Sequence, residues 1–155
     1  MQATSLDYFS FGRGHLDGVN AYRYGNLLHQ PRGSAIYFAV DYDAEPGHVT
    51  GAIRDYFQGV KQGFSDAGQG NSIYDVGVYA SGMCCDWLKQ HLTIARYAWL
   101  AESAGWNGSR SYEGWDIKQK IPTGDLAGLK GGVNGDYEMD DGSAAGIGAF
   151  TVIIP

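Results

Sequence analysis

The sequence predicts an α/β fold, because segments with strand and helix patterns alternate along most of the chain. Residues 35–41 predict a strand, because the continuous apolar run at 35–40 is typical of a strand buried on both faces of a parallel sheet. Residues 47–64 place apolar side chains three and four positions apart, the spacing of an amphipathic helix. Because strand and helix patterns recur at residues 74–92, we expect a parallel sheet covered by helices.

The first elements are a helix, a strand and a second helix. Residues 14–29 have a weak apolar stripe that predicts a helix, and the sequence HQPRG then ends it with Pro31 and Gly33. That stripe consists of Leu16, Val19 and Leu27. The strand at 35–41 follows, and the helix at 47–64 comes next. The stripe of this second helix consists of Val49, Ile53, Phe57, Val60 and Phe64.

The later part of the chain repeats these patterns before it becomes rich in glycine. YDVGVYA (74–80) predicts a strand, and Ser81 is a residue type that caps the start of a helix. The helical stripe after it consists of Met83, Cys84, Trp87, Leu88, His91 and Leu92. ARYAWLAES (95–103) predicts a third strand. Two further extended segments, 115–119 and 133–140, are separated by Gly-rich sequence without a clear helical pattern.

Length and composition indicate one globular domain over residues 1–155. With 155 residues, 44% of them hydrophobic, the chain can bury roughly two-thirds of its surface. Its 11 basic and 17 acidic residues give a net charge of −6 without a basic cluster, which excludes the electrostatic pattern of a nucleic-acid-binding protein. No apolar run reaches the ~20 residues of a membrane span, and MQATSLDYFS lacks the pattern of a signal peptide.

The two cysteines, Cys84 and Cys85, are adjacent in the sequence. Neighbouring cysteines have neither the geometry of an ordinary disulfide nor the spacing of a zinc site. No phosphate-cradling glycine motif is present. We therefore expect neither a metal ion nor an organic cofactor, and we expect the cysteines and Trp87 to pack in the core.

Two acidic residues, Asp41 and Asp43, stand where the first predicted strand ends. Side chains at i and i+2 of a strand point to the same side, so an extended backbone would place the two carboxylates about 6.6 Å apart on one face. Glycosidic bond cleavage needs such a pair, because one acid protonates the leaving oxygen and a second carboxylate acts as base, nucleophile or charge stabiliser. The competing interpretation is structural, since acids also favour the start of a following helix.

Four stretches, taken in order, resemble one known family: IYFAVDYDA, YDVGVYASGMC, YAWLAESAGWNGS and the W-x-I-x-Q pattern of GWDIKQ. They are similar to a glycoside-hydrolase-like domain family, once catalogued as a domain of unknown function, that is related to family 25 lysozymes. The resemblance extends from Tyr8 to Phe150. It implies a (β/α) barrel of the TIM type, in which the strand carrying Asp41 corresponds to the fourth of eight.

Relative to a complete barrel, this sequence is short. A TIM barrel needs at least about 200 residues, so the resemblance implies an N-terminally truncated barrel that holds about strands four to eight. Two architectures stay open, a partial barrel or rearranged sheet and a domain completed by another copy. An incomplete sheet would expose IYFAVDYD as an edge strand, and exposed edges invite pairing. Self-association into a homo-oligomer through this edge is therefore expected.

The resemblance implies a site that acts on cell-wall polysaccharide of the peptidoglycan type. Family 25 lysozymes carry an Asp-x-Glu motif whose glutamate is the general acid, and Asp41 and Asp43 occupy its two positions here. The last-strand aspartate of the family corresponds to Asp136, which gives three candidate catalytic residues. Asp43 is one methylene shorter than glutamate, and the first-strand aspartate of the lysozymes has no counterpart. The resemblance also implies an extracellular or cell-wall role, which the sequence itself leaves undetermined.

Further residues near the strand ends are candidate sugar contacts. Aromatic rings stack on the apolar faces of sugars, and the amide of Gln119 both donates to and accepts from hydroxyl groups. The candidates for substrate binding are Tyr79, Trp99, Glu102, Trp106, Gln119 and Glu138. For the aromatic residues the alternative is ordinary core packing, and for the acids it is a solvated loop position.

Two other classes of function fit parts of the sequence. Loss of the first-strand acid and the replacement of glutamate by Asp43 favour a catalytically silent carbohydrate-binding or wall-associated domain. An apolar strand ending in Asp-x-Asp also suits a divalent cation held by oxygen ligands, as in a metal-dependent phosphatase or glycosyltransferase. A haloacid-dehalogenase-like enzyme would want threonine or valine where this chain has Glu45. The glycan and the linkage are not specified by these patterns.

Overall fold

A computed structural model of the chain describes residues 2–120 and 137–140, with Lys120 and the second segment described by their backbone alone. Its architecture is α/β, as the alternating pattern predicts. One sheet contains five strands whose order in space is their order in sequence. They are β1 (Ala35–Ala39), β2 (Asp75–Ala80), β3 (Tyr97–Leu100), β4 (Ile117–Lys120) and β5 (Tyr137–Asp140).

The first four strands are parallel, and β5 is antiparallel to β4. The expectation of a fully parallel sheet is therefore wrong for the last strand. Parallel neighbours need a long crossover, usually a helix, whereas antiparallel neighbours do not. The Gly-rich sequence before β5, which lacks a clear helical pattern, agrees with this difference. The four-stranded parallel sheet is consistent with part of a (β/α) barrel, and closure into a TIM barrel stays a prediction.

Helices connect β1 to β2 and β2 to β3, and a further helix precedes β1. They are α1 (Phe11–Leu27), α2 (Pro46–His48), α3 (Arg54–Ala67) and α4 (Gly82–Asp86). A 3₁₀ turn at Leu6–Tyr8 precedes α1, and π-helical turns at Val49–Ile53 and Trp87–His91 follow α2 and α4. Ser81 caps α4 as predicted, because its Oγ accepts a hydrogen bond from the backbone N–H of Cys84 at 3.4 Å. No helix of the described chain has the length and apolar character needed to cross a membrane.

The core lies between the sheet and α3. All five apolar side chains of the stripe predicted at 47–64 are buried. Within this core the ring of Phe38 on β1 packs against Phe57 and Phe64 of α3, with ring centroids 6.4 and 5.9 Å apart. The predicted helix is interrupted at Gly51, where the backbone leaves helical geometry. Cys84 and Cys85 are fully buried, which confirms that they pack in the core.

Helix α1 packs against α3 through glycines instead of through its leucines. The predicted stripe placed Leu16 and Leu27 inside, but their exposed fractions are 51% and 70%, so that prediction is wrong. The residues that α1 buries are Gly14, Gly18, Tyr22 and Gly25. A Cβ atom on Gly14 would lie 1.9 Å from the carbonyl oxygen of Tyr56. The two helix backbones therefore touch directly, and the side chains that hydrophobicity would bury face outward.

Candidate functional site at the carboxyl ends of the strands

The acidic pair follows β1 but does not lie within it. The strand ends at Ala39, two residues before the predicted end at Asp41. Hydrogen bonds keep the next two residues extended, because Val40 N–H donates to Tyr79 O at 2.7 Å and Asp41 N–H donates to Ala3 O at 2.9 Å. The chain then bends at Tyr42. The i, i+2 geometry of a continuous strand therefore does not apply to the two carboxylates.

Asp41 and Asp43 differ in what their carboxylates contact. Both side chains are exposed. Among the described residues, no hydrogen bond reaches the carboxylate of Asp41, whereas Oδ1 of Asp43 accepts the backbone N–H of Asn107 at 2.8 Å. Asn107 also donates from Nδ2 to Ala44 O at 3.4 Å, and its carbonyl accepts Met83 N–H at 2.9 Å. Asn107 thus joins the end of β1 to the start of α4, a role that no sequence pattern indicated.

Tyr79 and Gln119 are brought together, as their joint assignment to a sugar-binding site requires. The hydroxyl of Tyr79 on β2 donates to Oε1 of Gln119 on β4 at 2.8 Å. The same oxygen accepts the backbone N–H of Glu102 at 3.1 Å. Two donors therefore fix the orientation of the Gln119 amide across the intervening strand. Glu102 follows β3 directly, so its backbone and the Gln119 side chain lie at the same edge of the sheet.

An aromatic row occupies the sheet face opposite the helices. Register partners in a parallel ladder share a face, and Tyr79 pairs with Ala39 and with Trp99. The Trp99 ring packs edge-on between Tyr37 and Tyr79, with centroids 5.7 and 5.2 Å away. Gly77 leaves room for this row, because a Cβ atom there would lie 2.4 Å from the Tyr37 ring. In a barrel this face would be the interior.

Two polar groups of this aromatic row, the Tyr37 hydroxyl and the Trp99 indole N–H, lie in buried surroundings. Burial raises the pKa of Tyr37 above its ordinary value, with smaller contributions from Asp116 and Tyr97. Nε1 of Trp99 is buried and has no hydrogen-bond partner within the part of the chain that the structure describes. Trp99 therefore lines this face of the sheet, and its indole N–H donates to no group among the described residues. Tyr37 was not predicted as a site residue, because a continuous apolar strand does not show which face is interior.

The remaining candidates lie at the edges of this arrangement. Trp106 is half-buried in the loop after β3. Its backbone N–H donates to Ser103 O at 2.8 Å, and its backbone carbonyl accepts the N–H of Ser109 at 3.1 Å. The backbone of Glu138 lies in β5 opposite Gln119. The side chain of Glu138 and all of Asp136 lie outside the described residues. Their predicted roles therefore stay predictions.

The described residues form two grooves. Each has a volume of about 540 Å³. One is lined by the start of β2 and by the segment that leads into β3, at the opposite end of these strands, and the other lies beside α4. Neither is lined by Asp41 or Asp43. Over residues 2–120, no group of three His, Cys, Asp or Glu side chains is placed to hold a metal ion.

The fold and the site define an α/β domain with a four-stranded parallel sheet and exposed carboxylates beyond the carboxyl end of its first strand. Residues 1–131 match the model of the Rv2525c-like, glycoside hydrolase-like domain family, and the chain belongs to this family. The family resemblance carried by the four sequence stretches is thereby confirmed.

Two curated relatives come from Bacillus subtilis (strain 168). The chain is 32% identical to uncharacterized protein YbfG over 108 residues, which are 68% of this chain and 15% of YbfG. It is 26% identical to uncharacterized protein FadG over 153 residues, which are 96% of this chain and 26% of FadG. The chain thus spans between 15% and 26% of the length of these relatives.

A similar solved structure is that of the Tat-secreted protein Rv2525c from Mycobacterium tuberculosis, crystallised in complex with L-tartrate. The TM-score is 0.58 at 20% sequence identity, and the match covers 84% of this chain and 60% of Rv2525c. At this identity the likeness shows the fold, which agrees with the parallel α/β sheet.

Proposed function

We propose that this domain cleaves a cell-wall polysaccharide of the peptidoglycan type at the carboxyl ends of its parallel strands. The observation that carries the proposal is the carboxylate of Asp41, which is exposed beyond β1 and accepts no hydrogen bond from the described residues. A carboxylate without a structural partner is available to a substrate. The glycoside hydrolase-like family, which we relate to the family 25 lysozymes, supplies the substrate class.

In this proposal each of the three acids has a separate role in glycoside cleavage. Such cleavage needs a proton donor to the leaving oxygen and a carboxylate that attacks, activates water or stabilises positive charge on the sugar. Asp41 supplies the essential carboxylate. Asp43 donates the proton from Oδ2, because its Oδ1 is occupied by the Asn107 N–H. Asp136 is the third acid, as the family resemblance implies.

The sugar contacts follow from the neighbouring strands. The Gln119 amide is oriented by Tyr79 and by the backbone of Glu102, so its NH₂ group faces a fixed direction. A positioned amide recognises a sugar hydroxyl. Trp99 and Trp106 supply apolar surface on which a sugar ring can stack. Glu138 completes the proposed set from β5. A wall polysaccharide as substrate places the action of this domain outside the cell.

A second function, binding without cleavage, is favoured by the Asp43 contact. The oxygen that accepts the Asn107 N–H ties Asp43 to the loop after β3, which is a structural use of that carboxylate. An aspartate held in this way reaches less far than the glutamate of the lysozyme motif. In this alternative the strand ends still hold the glycan, and Asp41 accepts a hydrogen bond from a sugar hydroxyl.

One experiment on the whole chain distinguishes cleavage of the glycan from binding alone. Purified protein is incubated with insoluble peptidoglycan, and both reducing sugar released and protein bound to the pellet are measured for the wild type and for Asp41→Asn. Cleavage predicts release by the wild type and at least a roughly 100-fold lower release by the variant, because catalytic carboxylates contribute factors of this size. Binding alone predicts no release but weaker pelleting of the variant.

The matched control is Asp55→Asn, which removes a carboxylate on α3 that pairs with Arg54. Circular dichroism should show native folding for both variants. The proposed site is wrong if the wild type neither releases sugar nor binds peptidoglycan. It is also wrong if Asp41→Asn behaves like Asp55→Asn in both measurements.

A further inference from the structure

The outward face of α1 is the most apolar exposed surface of the described chain. Every large hydrophobic side chain that is exposed among the described residues lies between positions 6 and 28. These side chains are Leu6, Phe11, Leu16, Tyr24, Leu27 and Leu28, with exposed fractions from 36% to 77%. Single exposed apolar residues are normal, but a concentration of them on one element marks an interaction surface.

Four exposed residues of α1 form a stripe along one side of the helix. Each residue advances about 100° around a helix, so Leu16, Asn20 and Leu27 lie within about 40° of each other, with Tyr24 beside them. The glycines that contact α3 lie on the opposite side. We call the surface formed by Leu16, Asn20, Tyr24 and Leu27 the outer stripe. Its spacing of four, four and three residues is that of a helix that packs against another helix.

We propose that the outer stripe binds the outer stripe of a second copy of this chain, with the two α1 helices antiparallel about a two-fold axis beside Asn20. Residues equally far from Asn20 then face each other across the axis. Leu16 of one copy meets Tyr24 of the other, and Asp17 meets Arg23. The pairing is self-complementary, as a two-fold interface requires.

Charge favours the antiparallel arrangement over the parallel one. In a parallel pair each residue faces its own copy, so Arg13 would meet Arg13 and Arg23 would meet Arg23, and like charges repel. In the antiparallel pair Arg23 approaches Asp17, an acid whose side chain keeps 15% of its surface exposed while it binds Arg13. Arg13 approaches Leu27, along which its aliphatic stem can pack. No like charges then oppose each other.

Asn20 gives the pair its register. At the two-fold axis the Asn20 amides of the two copies face each other, and an amide carries both donors and an acceptor, so the two groups satisfy one another. A single polar residue in an otherwise apolar helix seam fixes register and partner orientation. This interface is independent of the edge strand IYFAVDYD, through which the sequence predicted self-association and which the described residues do not test.

Cysteine cross-linking tests the two-fold axis directly. Asn20→Cys places two thiols opposite each other, so mild oxidation should convert most of the protein into a disulfide-linked dimer on a non-reducing gel. The native thiols do not interfere, because Cys84 and Cys85 are buried. The control is Asn26→Cys, exposed on the same helix. In the proposed register its two copies lie about 18 Å apart along the helix axis, so it should not cross-link.

Charge variants test the facing pair Leu16 and Tyr24 by sedimentation equilibrium. In the double variant Leu16→Glu, Tyr24→Glu, each glutamate at position 16 faces the glutamate at position 24 of the other copy. This repulsion should raise the dimer dissociation constant roughly tenfold or more. Leu16→Glu with Tyr24→Lys should restore association. Asn26→Glu, at an exposed position of the same helix off the stripe, should leave it unchanged. A wild type with a mass of 16.7 kDa at every concentration, or equal cross-linking of the two cysteine variants, overturns the proposal.

Discussion

The contact between α1 and α3 and the carboxyl edge of the sheet are built by opposite means. In the first region the backbones touch because glycines on both helices remove the side chains, with Gly14 and Gly18 on α1 and Gly59 and Gly63 on α3. In the second region polar side chains are held in place by hydrogen bonds from distant segments, such as Asn107 to Asp43. The first region therefore leaves no room for an added atom, whereas we expect the fold to tolerate substitutions in the second.

The largest expected effect comes from adding one methyl group to the glycine contact. In Gly14→Ala the new Cβ would lie 1.9 Å from the carbonyl oxygen of Tyr56, which is backbone and cannot rotate away. The helices must separate, and we expect a loss of at least about 3 kcal/mol in the free energy of unfolding, the upper end for overpacking. Urea denaturation followed by circular dichroism measures this loss.

Gly12→Ala is the matched control, because no atom lies within 4 Å of a Cβ atom at that position of the same helix. Alanine lowers the entropy of the unfolded chain and favours helix, so this variant should gain about 0.5 kcal/mol. Equal stability of the two variants would show that the helices slide apart without cost, and the contrast between the two regions would disappear.

The sequence predicted α3 better than α1 for a physical reason. The stripe of α3 consists of large apolar side chains that are all buried, so counting hydrophobicity finds its inner face. The inner face of α1 is made of glycines, which carry no hydrophobic signal, and the same counting selects Leu16 and Leu27 on the outer face. Small residues at four-residue spacing, here Gly14 and Gly18, are the pattern that would have found it.

The candidate site was also predictable only in part. The position of Asp41 and Asp43 beyond the first strand follows from local sequence, and so does the placement of Gln119 in the fourth strand. The contact of Asp43 with Asn107 joins residues 64 positions apart in the chain, and no local pattern encodes it. Tyr37 was missed because both faces of β1 are apolar, so the sequence does not show which side chains face the helices.

A smaller effect is expected at the site. Tyr79→Phe removes the hydroxyl that donates to Gln119 and leaves the ring against Trp99 in place. We expect a loss of about 1 kcal/mol in the free energy of unfolding, the usual net value of one hydrogen bond. Binding to peptidoglycan should weaken as well, because the amide loses a donor that orients it. Pelleting assays and urea denaturation of the same samples measure both.

Thr4→Val controls for the loss of a hydroxyl, since Thr4 is exposed and its substitution should change the unfolding free energy by less than about 0.5 kcal/mol. If Tyr79→Phe lost as much stability as Gly14→Ala, the strand ends would be as intolerant of change as the glycine contact. If it bound peptidoglycan like the wild type, the Gln119 amide would have no part in sugar recognition.

The smallest effect concerns a polar link across the helix pair whose strength changes with pH. Asp66 on α3 accepts a hydrogen bond from His15 of α1 at 2.8 Å and another from Gln62 at 2.7 Å. The bond to His15, followed by that to Gln62, lowers the pKa of Asp66 below its ordinary value. Because the pKa of Asp66 is lowered in the folded state, the link stabilises the fold fully at pH values above the ordinary aspartate pKa of about 4. This stabilisation is lost as the pH falls through the lowered pKa of the folded state.

Asp66→Asn should therefore be slightly less stable than the wild type at neutral pH, and the difference should vanish at the acidic end of a series of urea titrations. Because this pair is exposed to solvent, the difference should be far smaller than that of Gly14→Ala and should shrink in high salt. Gln62→Ala, which keeps the His15 contact, should reproduce only part of it. A difference that grows as pH falls would show that the ionised Asp66 opposes the contact between the helices.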